Sequence, residues 1–256
     1  MRIEEWLVWY DRIRAAFNYS IADDTSAASL LSMLVDGRAL SMERVRYPIQ
    51  GKDVIVFGAG PSLADTLKDM IEAGVNIHAY TLIAADGASQ ALIEHGIKPD
   101  IVVTDLDGEH GYLLTADTLG SIMVVHAHGD NVNLMKYMVP RLRNVIATTQ
   151  VKPLHNVYNF GGFTDGDRAV FLASEFNARS IILAGMDFGY EVGYYSKRSY
   201  NIGLKVAKMR FAKMLLESIS EECKGKGLRL YNLSRSRIKG FESIDVVGLS
   251  ILAMSK

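Results

Sequence analysis

Val54-Ile55-Val56-Phe57-Gly58-Ala59-Gly60-Pro61-Ser62-Leu63 decides the fold of this chain. Four apolar residues without polar alternation read as a strand covered on both faces, the pattern of a parallel sheet. Two glycines then let the backbone turn tightly, Pro61 suits a first helical position, and Leu67, Met70 and Ile71 continue at helical spacing. The same rhythm recurs at Ile77–Ala85, Ile101–Thr104, Ile122–His126, Val145–Thr148 and Ile181–Ala184, all but Val145–Thr148 ending near Gly or Asp. The expected class is α/β, a doubly wound, mostly parallel, Rossmann-like sheet with helices on both faces. A long later helix is expected from about Asn201 to Glu222, with Val206, Met209, Ala212, Leu216 and Ile219 inward and lysines outward.

Residues 1–50 follow another pattern. Ile3, Trp6, Leu7, Tyr10, Ile13 and Phe17 share one helical stripe, and a second helix is expected with Asp23 or Asp24 as N-cap, Leu30, Leu31 and Leu34 inward and Gly37 as its stop. The expected division is a helical N-terminal appendage at 1–50 packed on an α/β domain at 51–256. Trp6 and Trp9 read as core or interface anchors. The aromatic stripe could bury itself against its own domain or against a second copy, so a homodimer is one arrangement the sequence allows.

Composition narrows the partners. The chain carries 28 basic and 29 acidic side chains, a net charge of -1, so no overall field holds it on nucleic acid or an anionic membrane. No apolar run approaches the ~18 residues of a membrane span, and charge begins at Arg2. A cytoplasmic protein is expected. Cys223 is the single cysteine, which excludes an intramolecular disulfide and a thiolate zinc cluster, and it reads as structural.

Ligands of open parallel sheets bind beyond the carboxyl ends of the strands. There the first run presents Gly58, Gly60 and Ser62 at the start of a helix, a loop that can approach an anion closely and donate hydrogen bonds to phosphate or ribose. The loop lacks both the Lys-Ser/Thr ending of a P-loop and the third glycine of the dinucleotide fingerprint. Asp86 follows the second run. After the third, Thr104-Asp105-Leu106-Asp107-Gly108 sets two carboxylates two residues apart; in an extended segment they point the same way ~7 Å apart and can share a hydrated divalent ion, for which magnesium is expected. The fourth run ends in His126-Ala127-His128-Gly129-Asp130-Asn131. No cysteine or further histidine lies near to complete a zinc set, so Asp130 is read as joining the metal carboxylates or taking the nucleophile's proton, with Asp86 the other candidate base. Asn131 and a histidine are read as contacts to polar groups. Asn159-Phe160-Gly161-Gly162-Phe163-Thr164-Asp165-Gly166-Asp167-Arg168 opens a further helix; Arg168 offers a planar fork to phosphate, and Thr164, Asp165 and Asn159 offer polar contacts beside Phe163. Asp187, in Gly185-Met186-Asp187-Phe188-Gly189, completes a ring of acids. Lys205 and Lys208 lie three apart on one helix face as further phosphate partners.

Taken together, Ala85-Asp86-Gly87-Ala88, Pro99-Asp100, Thr104 to Gly108 and Gly161 to Arg168 resemble the landmarks of thiamin pyrophosphokinase. Through Gly58 to Leu63, His126 to Asn131 and Gly161 to Ala169 the likeness is closer to the archaeal 6-hydroxymethyl-7,8-dihydropterin pyrophosphokinases of the MptE type. That resemblance implies diphosphate transfer from ATP to a pterin alcohol with release of AMP, with magnesium held by Asp105 and Asp107 and less securely by Asp86 and Asp130. Gly108 stands where the thiamin enzymes have serine, and Thr164 to Arg168 replaces their GGRxDH, which speaks against thiamin as acceptor. The Gly-x-Gly-Pro-Ser-Leu loop is also similar to sialyltransferases and flagellin-modification proteins, so a nucleotide-sugar transferase stands as an alternative, beside a scaffold that binds nucleotide without turnover.

Overall fold

The computed structural model describes residues 1–189, 191–196 and 201–254. Three helices, α1 (Ile3–Phe17), α2 (Ile21–Leu34) and α3 (Met42–Ile49), precede the first strand. There follow β1 (Asp53–Phe57), α4 (Leu63–Glu72), β2 (Thr81–Ala85), α5 (Ala88–Glu94), β3 (Ile101–Thr104), α6 (His110–Thr118), β4 (Ile122–Ala127), α7 (Val132–Met138) and β5 (Val145–Thr149). The chain continues with β6 (Val157–Tyr158), α8 (Asp165–Glu175), β7 (Ser180–Ala184), α9 (Ile202–Gly225), β8 (Arg229–Asn232), β9 (Glu242–Ser243) and α10 (Val246–Met254). The strands form one sheet in the order β6-β5-β4-β3-β2-β1-β7-β8-β9, with every pairing parallel. Strand order runs outward one way from β1 and the other way from β7, so the switch point where such sheets open a crevice lies between these two.

Both faces are covered. On one, Val54, Val56, Ile83, Ile101 and Val103 meet apolar residues of α1, α3, α8 and α9; on the other, Ile55, Phe57, Leu82, Ala84 and Val102 meet α4, α5, α6 and α7. This alternation of neighbours on a fully buried strand explains why the runs show no polar period. Six runs anticipated strands, with one boundary corrected: Ile77–Ala79 is a 3₁₀ turn and the strand begins at Thr81. Strands β6, β8 and β9 went unread because they are short and carry no aliphatic run. In α9 the inward stripe divides: Ala212, Leu216 and Ile219 are buried, while Val206 and Met209 face a cavity. Cys223 is buried beside the Ser174 hydroxyl, 3.4 Å away, as a packing residue. No helix among the described residues is long and apolar enough to cross a membrane.

The N-terminal helices enter both cores. Trp6, Tyr10 and Ile13 of α1 are buried within the chain, and α2 places Ala28 on one face and Ala27 and Leu31 on the other. The cap of α2 is Ser20, whose hydroxyl accepts the amide of Asp23 at 3.2 Å, rather than Asp23 or Asp24; the helix thus begins earlier than read, and ends at Leu34, before Gly37 turns at φ 68°. The earlier start turns Asp24 inward. Its carboxylate accepts from the Tyr10 hydroxyl at 2.6 Å, the Gln150 amide at 2.7 Å and the Gly129 backbone N–H at 2.8 Å, and so ties α1 and α2 to the chain just beyond β4 and β5. Burial, followed by the bond to Asp24, pushes the Tyr10 hydroxyl well above the usual phenol range. Trp6 adds an indole N–H to the Gln150 carbonyl at 2.8 Å. Asp24→Ala strands three donors in a buried place, each costing about 1–3 kcal/mol; chemical denaturation is expected to show a loss of about 3 kcal/mol or more, and a loss below about 1 kcal/mol would show that this junction does not hold the helices.

Candidate active site

One cavity of about 380 Å³ lies beyond the carboxyl ends of β1, β2, β3, β4, β5 and β7. Its floor is made by the loops after those strands. Its sides come from Asn18 to Ser20 and Asp23 to Asp24, from 191–193 and 195–196, and from the first turns of α9. The sequence reading located the floor, but Tyr19, Asp23, Tyr195 and Ser196 were missed, since no local signal ties them to strand ends so far off in the chain.

Asp86, Asp105 and Asp107 form the centre. One carboxylate oxygen of each lies within 4.8 Å of the others, a grouping that can hold a metal ion. The loop that brings the last two together is not the extended segment expected. Leu106 turns at φ 72°, its side chain fully buried, and the Asp107 amide donates to the Asp105 carboxylate at 3.2 Å. The turn tightens because the Thr104 hydroxyl oxygen accepts the Leu106 amide at 2.8 Å while its proton goes to Asp86. Asp86 itself sits at φ 39°. A Cβ on Gly108 would lie 2.5 Å from an Asp86 carboxylate oxygen, so the absence of a side chain there lets the two loops meet. Hard oxygen donors in this number suit a magnesium-type cation rather than zinc.

The electrostatics are divided. Burial first, and then the neighbouring Asp105 and Asp107, push the Asp86 carboxyl up to about 8. Asp105 goes the other way: burial opposes its ionisation, but the His128 ring, bonded to it at 3.2 Å, and the charge of Arg168 hold it below the usual carboxylate range. Asp165 is raised well above that range by burial and then by Asp105, with Arg168, 3.2 Å away, working against the rise. Lys205 lines the cavity; burial lowers its ammonium and Asp107 raises it. Its Nζ donates to the Ser196 hydroxyl at 2.7 Å. Lys208 also lines the cavity, over the Tyr19 ring.

Several sequence-predicted contacts have other duties. The amides of Gly58 and Gly60 donate to the carbonyls of Ala184 and Gly185, both at 2.8 Å, zipping the β1 loop to the β7 loop. Ser62 gives its amide and its hydroxyl to Asp187, at 2.8 and 2.6 Å. These donors are engaged inside the protein, although Gly58 and Gly60 still line the cavity, and close packing against Gly185, Met186 and Asp187 requires the glycines. Asp187 is thereby a loop tie and not a member of the central acids. Asp100 is another tie, accepting the Leu82 amide at 2.9 Å at the entry to β3. Asn131 is 2% exposed and engaged, donating to the carbonyls of Asp105 and His126 and accepting the His128 amide, so it braces the Asp105–Asp107 loop from behind and is not among the residues that line the cavity. Asn159 caps a turn through the Gly161 amide. Thr164 is the N-cap of α8 in a reciprocal box with Asp167, although it still lines the cavity. Asp130 is exposed on the cavity wall, outside the carboxylate trio. Asp165, Phe163 and Arg168 line the cavity, with Phe163 tilted against Phe17 and Tyr19 and edge-on to Phe211.

Comparisons with known proteins agree with this geometry. The family model for 6-hydroxymethylpterin diphosphokinase MptE-like proteins matches residues 29–193, which include every one of the central acids. Proteins named 6-hydroxymethyl-7,8-dihydropterin pyrophosphokinase are similar along most of their length. That of Pyrococcus furiosus is 44% identical over 238 residues, covering 88% of this chain and 97% of the relative. That of Methanothermobacter thermautotrophicus is 42% identical over 224 residues, covering 85% and 94%, and that of Methanocaldococcus jannaschii 38% over 234 residues, covering 87% and 97%. Among solved structures, the Maf glycosyltransferase of Magnetospirillum magneticum shares the fold with a TM-score of 0.52 at 13% identity; the match covers 90% of this chain but 41% of that one, and the likeness is of fold alone. Reached from the strand-end carboxylates and from these relatives alike, the conclusion is that the chain belongs to the MptE-like family of 6-hydroxymethylpterin diphosphokinases.

Proposed function

We propose that this protein transfers a diphosphate from ATP to the hydroxymethyl group of 6-hydroxymethyl-7,8-dihydropterin. The hydroxymethyl oxygen attacks the β-phosphorus, the bond from that phosphorus to the oxygen bridging the α-phosphate breaks, and AMP leaves. The observation that carries the reading is the convergence of Asp86, Asp105 and Asp107 with Arg168, Lys205 and Lys208 on one cavity. Phosphoryl transfer has little covalent work for a protein to do, so positioning and charge balance dominate its catalysis. The three carboxylates would hold magnesium, whose charge, when bound, offsets that of the phosphate oxygens.

Arg168 and the two lysines are assigned to the phosphate oxygens outside the metal's reach. With the Asp86 carboxylate bonded to the Thr104 hydroxyl and assigned to the metal, Asp130 on the open wall is the group assigned to take the hydroxyl proton as the new P–O bond forms. Phe163 and Tyr19 supply an aromatic wall for a flat ring, and Asp165 a carboxyl for its amide-like edge. The reaction is placed in the cytoplasm, where ATP is at hand.

Incubation with ATP, magnesium and the pterin alcohol, followed by mass spectrometry, is expected to show the pterin diphosphate and AMP in equal amounts; ADP with a pterin monophosphate would overturn the reading. Asp105→Asn and Asp107→Asn should each lower AMP release by about 100-fold or more, and near-normal release from both would remove the metal assignment. Gly108→Ser should displace the Asp86 carboxylate and weaken Mn²⁺ binding, read by calorimetry, by on the order of tenfold; unchanged affinity would exclude Asp86 from the ion's shell.

A further inference from the structure

Behind the active-site wall lies a second, much smaller cavity of about 10 Å³, lined by His126, Thr148, Gly161 and Arg168 with apolar neighbours. Two buried nitrogens on its lining residues have no protein partner in good hydrogen-bond geometry: Nε2 of His126, which has only the Gln150 side chain near it, and Nε of Arg168. Their residues are 2% and 8% exposed. An unpaired buried polar atom is costly, and two around one water-sized space point to a shared solution.

The contacts of the Thr148 hydroxyl point to Nδ1 as the nitrogen of His126 that carries the proton. The Thr148 hydroxyl donates to the Val125 carbonyl at 3.0 Å, which uses its only proton. The contact of 3.1 Å between that hydroxyl and His126 Nδ1 is then a bond in which the ring donates. Nδ1 carries the hydrogen and Nε2 of a neutral ring presents a lone pair. Burial foremost, then Arg168 and His128, keep the ring uncharged against an opposing pull from the Gln150 side chain. Arg168 Nε–H can only donate. One water that accepts from Arg168 and donates to His126 satisfies both atoms.

We propose that His126 is a positioning residue for Arg168, holding the guanidinium from behind through one buried water while Asp165 holds it from the cavity side. The role rests on the diphosphate-transfer reading for its effect on rate, but not for its structural content. Gly162 belongs to the same device: at φ 88° it passes so near the start of α8 that a Cβ would lie 2.6 Å from the Arg168 Cα. A guanidinium restrained at Nε and at one terminal nitrogen keeps its fork aimed without the substrate having to order it.

The tautomer is tested in the unmodified protein by two-bond ¹H–¹⁵N correlation of the histidine rings. A protonated Nδ1 with an unprotonated Nε2 is expected for His126; an Nε2–H ring, as a bond to the Gln150 carbonyl oxygen would require, overturns the proposal. In kinetics His126→Phe should lower kcat by on the order of tenfold with KM for the pterin little changed, and His126→Gln, which keeps an acceptor, should recover to within about threefold of the parent. In an Arg168→Ala background the same His126→Phe change should cost less than about twofold, whereas additive losses would show that His126 does not act through Arg168. Failure of the parent protein to release AMP would count against the diphosphate-transfer reading and leave the ring tautomer to decide the positioning role.

Discussion

Three carboxylates held within 4.8 Å of one another repel, and the structure around them is arranged to bear that repulsion. Each is treated differently. Asp86 is buried beside a threonine hydroxyl, Asp105 is offset by His128 and by the charge of Arg168, and Asp107 lies within the electrostatic reach of Lys205. Like charges this close depend on opposite charge or on a bound cation to remain ionised together. The basic side chains lining the cavity belong to elements distant in sequence, α8 and α9, so the charge balance of the site is reached only when the whole sheet is wound. Folding and site assembly are thus one event.

The N-terminal helices share in that event. Asp24 binds the Gly129 amide and the Gln150 side chain, both on the cavity lining, and these positions directly follow the strands that deliver His128 and support His126. Tyr19 and Ser20 then stand on the cavity wall. The helices brace the floor of the site as well as covering the sheet. A boundary near residue 50 marks a change of sequence pattern and is crossed by buried hydrogen bonds.

The sheet was legible because a doubly covered parallel strand leaves an unbroken aliphatic run, and the acids were legible because the turn after each strand is where a carboxylate can meet solvent. What the sequence concealed were partnerships. Gly58, Gly60 and Ser62 have the glycine spacing and helix start of an anion loop, yet their donors face Ala184, Gly185 and Asp187, which lie more than a hundred residues onward. Asn131 reads as a ligand contact and turns out to be a brace with all its bonds made inside the protein. Short strands such as Val157–Tyr158 carry too few residues for any period. Local pattern reports what a residue can do; only the fold decides which partner reaches it first.

Leu106 shows how the site's shape is stored. A branched-chain residue with positive φ costs of order 1–3 kcal/mol in backbone strain, and burying its side chain returns about 1.5–3 kcal/mol. The two nearly cancel, so the apolar layer beneath the bend offsets its strain. A cation arriving at such a turn meets oxygens already gathered, and the entropy of collecting them has been spent during synthesis of the native state. In general, oxygens held in fixed places discriminate among cations by radius, whereas a floppy acidic loop wraps them all.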